Sequence, residues 1–336
     1  MAEHIDRRQF LRNSVLTGGV ATALASFEEK ALSAETNKAT PVPAAATIPG
    51  VEPLALPKGK IKNLEVSRVF CGGNLIGGWA HSRDLMYVSP LIKAYHSDEK
   101  IFETLRLAEH RGINTVLTNP VSDRVINAYW KAGGKIQWFS DCASGKLKDG
   151  IKRSIDNGAH GVYIQGGMCD KLVMEGKIED IEDAVSFMED SKVAFGLGAH
   201  CLETVKECVR AGFDPDFWVK TLHKDDYWSA TPAENRHVFD EVGGSKKDHG
   251  MHHDNMWCIN AQETIEFMSA LKKPWIAFKT LAAGAIHPRN AFQWCFENGA
   301  DFLCVGMFDF QVAENTEIAD KALQAVMKKG RARAWA

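Results

Sequence analysis

From about residue 60 onward, short runs of apolar, β-branched and aromatic residues alternate with longer amphipathic runs. The strand candidates are Arg68–Gly72, Thr115–Asn119, Gln137–Asp141, Gly161–Gln165, Ala194–Ala199, Phe217–Leu222, Trp275–Leu281 and Phe302–Gly306. They are nearly continuous in apolar character, as parallel strands covered on both faces are. Between them, Glu99 to Arg111 carries Ile101, Leu105 and Ala108 on one face and stops at Gly112. Lys146 to Asn157 stops at Gly158, Glu203 to Arg210 at Gly212, and Asn290 to Glu297 at Asn298-Gly299, while Gln262 to Leu271 stops before Pro274. Endings of this kind use a left-handed residue to leave the helix. Eight βα units in about 270 residues predict an α/β fold, a (β/α)₈ TIM barrel. The runner-up is an open doubly wound sheet. It lacks its fingerprint, because Cys71-Gly72-Gly73-Asn74-Leu75-Ile76-Gly77-Gly78 has glycines at the wrong spacing for GxGxxG.

The first residues break the pattern. Asp6-Arg7-Arg8-Gln9-Phe10-Leu11-Arg12 resembles the twin-arginine export consensus, and a mildly apolar run from Val15 to Ala25 follows it. That run is too short for a membrane span. Ala23-Leu24-Ala25 and Ala34 offer small-residue cleavage sites. Residues 1–34 are therefore expected to be a signal peptide and residues 35–57, rich in Ala, Pro and Thr, a linker. One barrel domain, 58–336, follows. The resemblance implies a periplasmic or exported protein that meets the twin-arginine translocase in transit and keeps no stable membrane span.

Composition narrows the classes. Of 336 residues, 45% are hydrophobic and 25% charged, which excludes a disordered chain, a collagen and a coiled coil. A net charge of −3 offers no basic excess for a run of phosphates, so no nucleic-acid partner is expected. The eight cysteines are scattered without a CxxC pair and read as buried thiols, in keeping with folding before export.

Four short stretches carry a family resemblance. They are Val66-Ser67-Arg68 with the glycines after it, Ala108-Glu109-His110-Arg111-Gly112-Ile113-Asn114, Glu175-Gly176-Lys177-Ile178, and Glu314-Asn315. Their order over most of residues 60–325 resembles the aldo/keto reductase superfamily. The resemblance implies a TIM barrel and, as an alternative activity, an NADP-dependent oxidoreductase. That family ends its second strand on a catalytic Asp, with a Tyr shortly after, its third near a Lys and its fourth on a His. Here Leu117 stands at the Asp position, strand three ends Ser140-Asp141-Cys142, and strand four ends Gln165-Gly166-Gly167. The reductase tetrad is not found at these positions, so the chemistry falls to other residues.

In a barrel those residues stand at the C-terminal strand ends. The candidates are Asn74, Asn119, Asp141, Gln165, His200, Lys220, His223, Lys279 and Asp309. His200 and His223, with His253, could hold a divalent metal (Zn, Mn or Fe), with Glu203, Asp225 or Asp254 as carboxylate ligand; the alternative is that these imidazoles bind substrate hydroxyls or buried carbonyls. Lys220 and Lys279 each sit in an apolar strand and could form a Schiff base or steady an enolate, one cation depressing the other. They faintly resemble the lysines of deoxyribose-phosphate-type aldolases; pairing with Asp141 or Asp309 is the plainer reading. Asp141 is the candidate general base. Gly284 and Gly306 lie where barrels often bind phosphate, here that of NADP. Asn74, Asn119, Gln165, Trp228 and Trp257 are candidate contacts to a small polar substrate, the tryptophans stacking on a sugar ring. The long connection from Asp225 to Trp257, with His237, His249, His252 and His253, is expected to belong to the site. The reading is an exported enzyme of carbohydrate or sugar-carbonyl chemistry, a lyase, isomerase or hydrolase assisted by metal or lysine. The alternatives are the NADP oxidoreductase and a non-catalytic binding protein.

Overall fold

A computed structural model of the chain describes residues 48–79, 85, 87–143, 146–239 and 256–336. The expected signal peptide lies outside the described residues, as do His249, His252, His253 and Asp254. Residues 51–57, expected to be linker, are bonded to the barrel. The Val51 carbonyl meets His110 Nε2 at 2.8 Å, the Glu52 carbonyl accepts from Arg111 at 2.5 Å, and Leu56 is buried.

Two short strands, β1 (Lys58–Ile61) and β2 (Leu64–Ser67), pair antiparallel before the barrel begins. Eight parallel strands follow: β3 (Val69–Gly72), β4 (Thr115–Thr118), β5 (Gln137–Cys142), β6 (Gly161–Ile164), β7 (Ala194–Ala199), β8 (Phe217–Thr221), β9 (Trp275–Phe278) and β10 (Phe302–Gly306). They close in the order β10-β3-β4-β5-β6-β7-β8-β9. The helices are α1 (Val88–Tyr95), α2 (Asp98–His110), α3 (Asp123–Lys131), α4 (Leu147–Asp156), α5 (Gly166–Met174), α6 (Ile178–Asp190), α7 (Leu202–Arg210), α8 (Ala261–Ala270), α9 (Pro288–Glu297) and α10 (Asp309–Lys329). This is a (β/α)₈ barrel. No described helix is long and apolar enough to cross a membrane.

Local chemistry explains the elements. Helix α2 starts where the Ser97 hydroxyl accepts from Lys100 N and where Asp98 and Glu99 meet the positive end of the helix. It buries Ile101, Phe102, Leu105 and Ala108 and is left through Gly112 at φ +81°. A Cβ there would also lie 2.6 Å from Leu54 O, so only glycine fits. The barrel interior is filled by Phe70, Leu117, Phe139, Tyr163, Phe217, Val219, Ile276 and Phe302, and Ile61 and Val66 of the hairpin join the same cluster. Gly196 makes room for this packing, since a Cβ on it would stand 2.4 Å from the Phe217 ring. The family-like motifs are mortar for this hairpin. Ser67 N donates to Asn114 Oδ1 at 2.7 Å, and Asn114 N donates back to Ser67 Oγ at 3.1 Å.

Strand β9 is shorter than expected. The pattern predicts it to Leu281, but it ends at Phe278 because Lys279 turns left-handed at φ +57°. That turn positions the site.

Candidate functional site at the barrel mouth

Side chains alternate faces along a strand. In β9, Ile276 belongs to the interior cluster and Phe278 packs on it. Lys279 would by alternation face the helices. Its positive φ returns it to the barrel side, so two consecutive residues serve the mouth. Lys279 Nζ stands 4.3 Å from the centre of the Trp257 ring and 5.8 Å from that of Phe278. Burial pulls its amine down to about 7, against the opposing pull of Asp141 and the Cys304 thiol. Among the described residues, six non-glycine residues have positive φ, and three of them are Lys279, Ala282 and Ala283. Left-handed backbone of this kind costs roughly 1–3 kcal/mol per residue and collects at functional sites.

Asp141 is the partner across the mouth. Its neighbours Ser140 and Cys142 both reach Ser154 of helix α4, at 2.8 and 3.9 Å, which leaves Asp141 on the barrel side of β5. Burial raises its carboxyl to about 7, and Lys279 counters part of that rise. Amine and carboxyl thus change charge near the same pH. The buried Tyr163 phenol feels Asp141 too, and burial first, then that charge, pushes its ionisation well above the usual range.

His200, just beyond β7, is 6% exposed. Its Nδ1 is 2.9 Å from Asp170 Oδ2, and Asp170 also accepts from the backbone of His200 at 2.9 Å and of Cys201 at 3.2 Å. Asp170 lies on α5 and is fully buried. Gly166 at the start of α5 leaves room for the ring: a Cβ on it would lie 3.2 Å from His200 Cε1 and Nδ1. The ring leans on Phe278 with centroids 5.2 Å apart. Burial lowers the imidazole pKa, and Asp170 opposes that. Asp170 was not among the expected site residues. Its sign in the sequence is a carboxylate in the apolar run Gly166-Gly167-Met168-Cys169-Asp170-Lys171-Leu172.

Lys220 and His223 are held in the wall. Lys220 is fully buried, and its Nζ donates to His200 O at 2.6 Å, to Thr221 Oγ1 at 2.8 Å and to Thr221 O at 3.2 Å. It holds the carbonyl of His200, and the low pKa of Lys279 comes from burial rather than from a second cation. His223 Nδ1 faces the Lys224 carbonyl at 2.6 Å, and its Nε2 accepts from Trp257 N at 3.1 Å and Cys258 N at 3.0 Å. Both ring nitrogens are spent on the backbone, and burial keeps the ring neutral with a pKa of about 4. It therefore has no lone pair to give a metal.

The remaining expected residues scatter. Glu203 pairs with Lys206, Asp225 with Arg236, and Asp309 with Lys100 and the Tyr95 hydroxyl. Gln165 caps α5 by accepting from Met168 N at 3.1 Å. Asn119 Oδ1 accepts from Ser122 Oγ at 3.4 Å, and Asn74 is exposed. Trp257 roofs Lys279, whereas Trp228 is 83% exposed. Among the described residues no group of three or more His, Cys, Asp or Glu side chains stands ready to hold a metal ion. His253 lies outside them.

The NADP alternative meets a similar test at Gly284 and Gly306. In the turn after β9, the N–H groups of Ala282, Gly284, Ala285 and Ile286 donate to carbonyls of Lys279, Leu281 and Ala282 within the turn. They are not presented as a phosphate cradle. Gly306 is exposed at the end of β10.

No family model matches the chain, and no curated protein matches it. Solved structures do. Two structures of Pseudomonas aeruginosa proteins described as candidate aldo-keto reductases each align with 81% of this chain and 97% of theirs, at 17% identity, with TM-scores of 0.56 and 0.53. At that identity what is shared is the fold. The chain is a TIM barrel like theirs.

Proposed function

We propose that the protein is an exported TIM-barrel enzyme that binds a small polar carbonyl compound, of the kind derived from sugars, as an imine of Lys279. Lyase or isomerase chemistry follows from that bond. The observation that carries the reading is Lys279 itself: an amine turned into the barrel mouth by a left-handed backbone, under Trp257 and facing Asp141. With a pKa of about 7, much of it is neutral at physiological pH. A neutral amine is the nucleophile; an ammonium is not. The nitrogen lone pair attacks the carbonyl carbon, and the carbonyl electron pair moves to oxygen, which takes the proton that the attacking nitrogen gives up. Asp141, with a pKa of about 7, supplies the proton on which the hydroxyl leaves as water. The resulting iminium withdraws electrons from the adjacent carbon and eases cleavage or deprotonation there. Trp257 excludes water and offers a flat face to the substrate.

Reductive trapping tests this. The protein is incubated with hydroxyacetone or glycolaldehyde and cyanoborohydride, and adducts are mapped by mass spectrometry. One predominant adduct on Lys279 is expected, forming at least about tenfold faster than on surface lysines, whose ammonium form dominates. Lys279→Met should lose it. Adducts spread evenly over surface lysines would overturn the reading.

Export belongs to the same proposal and rests on Arg7-Arg8 with the apolar run behind them. Changing both arginines to lysine is expected to leave the protein in the cytoplasm, because the translocase reads paired guanidinium groups. Fractionation of cells checks this, and unchanged export would remove the twin-arginine assignment.

A further inference from the structure

We propose that His200, held by Asp170, is the base that carries the α-proton of a carbonyl substrate bound to Lys279. The inference rests on the imine reading and extends it to the reaction class: a substrate with a hydrogen on the carbon next to its carbonyl, such as an α-hydroxyketone.

The geometry is that of an oriented imidazole. Asp170 is fully buried and bonds three donors, two backbone N–H groups and His200 Nδ1. A carboxylate at Nδ1 fixes the tautomer with the proton on that nitrogen and leaves the lone pair on Nε2. Among the described residues no hydrogen bond occupies Nε2, the one polar contact of the ring being that of Nδ1 to Asp170, and Gly166 leaves room beside the ring, where a Cβ would stand 3.2 Å from Cε1. Phe278 joins the two groups, its ring 5.2 Å from the His200 centroid and 5.8 Å from Lys279 Nζ. The base and the amine therefore share one apolar wall. Lys220 locks the main chain behind the ring by donating to the His200 carbonyl. So much fixing of one side chain is the kind of support a proton-transfer group needs.

The step balances. Nε2 takes the proton from the α-carbon, and the C–H electron pair becomes the C=C bond of an enamine while the C=N pair returns to nitrogen. The imidazolium formed is steadied by Asp170. Reversal returns a proton to the same carbon and restores the C=N bond that water then hydrolyses, which gives exchange or epimerisation at that carbon.

Deuterium exchange tests the relay with hydroxyacetone as probe. In D2O the wild-type protein is expected to wash deuterium into the hydrogens next to the carbonyl, followed by proton NMR, while cyanoborohydride traps the same ketone on Lys279. His200→Asn keeps an N–H donor near the Nδ1 position for Asp170 and removes Nε2. It should slow exchange about 100-fold, the usual scale of one proton-transfer group, with Lys279 still trapped. Asp170 is a positioning residue, and Asp170→Asn should slow exchange at least about tenfold with trapping still seen. A merely structural role would lower trapping and exchange together. If Asp170→Asn does not fold, His200→Asn alone decides. Trapping with exchange within threefold of wild type in His200→Asn would overturn the relay and leave the imine reading standing. A wild-type protein that neither traps nor exchanges would overturn the imine reading, and the relay with it.

Discussion

The double variant Asp141→Asn/Lys279→Met is expected to be more stable than the wild-type protein at pH 7, by up to about 4 kcal/mol, because it removes two desolvated, half-buried charges. The gain should depend on pH in a particular way. Lys279 has its pKa lowered to about 7 from 10.5, so its burial penalty is complete below pH 7 and fades as pH rises toward 10.5. Asp141 has its pKa raised to about 7 from 3.8, so its penalty is absent below pH 3.8 and complete once pH passes 7. Both penalties are at full strength together only near pH 7. The advantage of the variant should therefore be largest near pH 7 and narrow toward pH 4 and pH 10. Urea unfolding of both proteins at three pH values measures it, and a difference that stays flat with pH would mean that the two groups are solvated. The same variant should lose the Lys279 adduct, which is the trade expected where strain and desolvation serve chemistry.

Asp301→Asn is expected to destabilise the fold by about 3–5 kcal/mol, because it strips the carboxylate from a buried cluster of guanidinium groups. Asp301, just before β10, is fully buried. It accepts from Trp275 N at 2.9 Å, Arg331 at 2.6 Å, Ala336 N at 2.9 Å and Arg333 at shorter range. Arg68 donates to its carbonyl at 3.2 Å and stacks 4.8 Å from Trp335, which also lies 3.5 Å from Arg331. Burial already lowers the Arg68 pKa to about 10, with Asp301 opposing that and Arg331 adding to it. With an amide in place of Asp301, three guanidinium groups would repel each other around the residues after α10. The cluster lies at the opposite end of the strands from Lys279. The loss should therefore appear in urea unfolding and in faster proteolysis of residues 330–336, while the folded protein still traps hydroxyacetone on Lys279. An unfolding midpoint equal to wild type would show that Asp301 is replaceable by a neutral acceptor.

The site was only partly legible beforehand. Asp141, His200 and Lys279 were readable because each is a polar residue at the end of an apolar run, where a barrel puts its chemistry. Lys220 and His223 carry the same signature and do a different task. Both spend their polar atoms on backbone groups of the wall: Lys220 on the His200 carbonyl, and His223 on Lys224, Trp257 and Cys258. Partners 20 to 35 residues away in the chain decide between the two roles, and spacing cannot reveal them. Asp170 was missed for the converse reason. It lies inside a helix rather than at a strand end, and its use depends on β7 bringing His200 beside it.

What the sequence determined by itself is the barrel. The nearly continuous apolar strand runs, the 3.6-residue period of the helices between them and the glycines that end those helices follow from backbone geometry, so eight βα units leave few ways to bury so many apolar strands. What only the tertiary structure decided is which polar groups share the mouth and in what charge state. A single backbone angle at Lys279 reverses the face on which its amine stands, and alternation along β9 predicts the opposite face. The charge states depend on desolvation and on neighbours from other strands: Lys279 and Asp141 are driven to a common pKa by burial, an effect of packing that exists only once the barrel is closed.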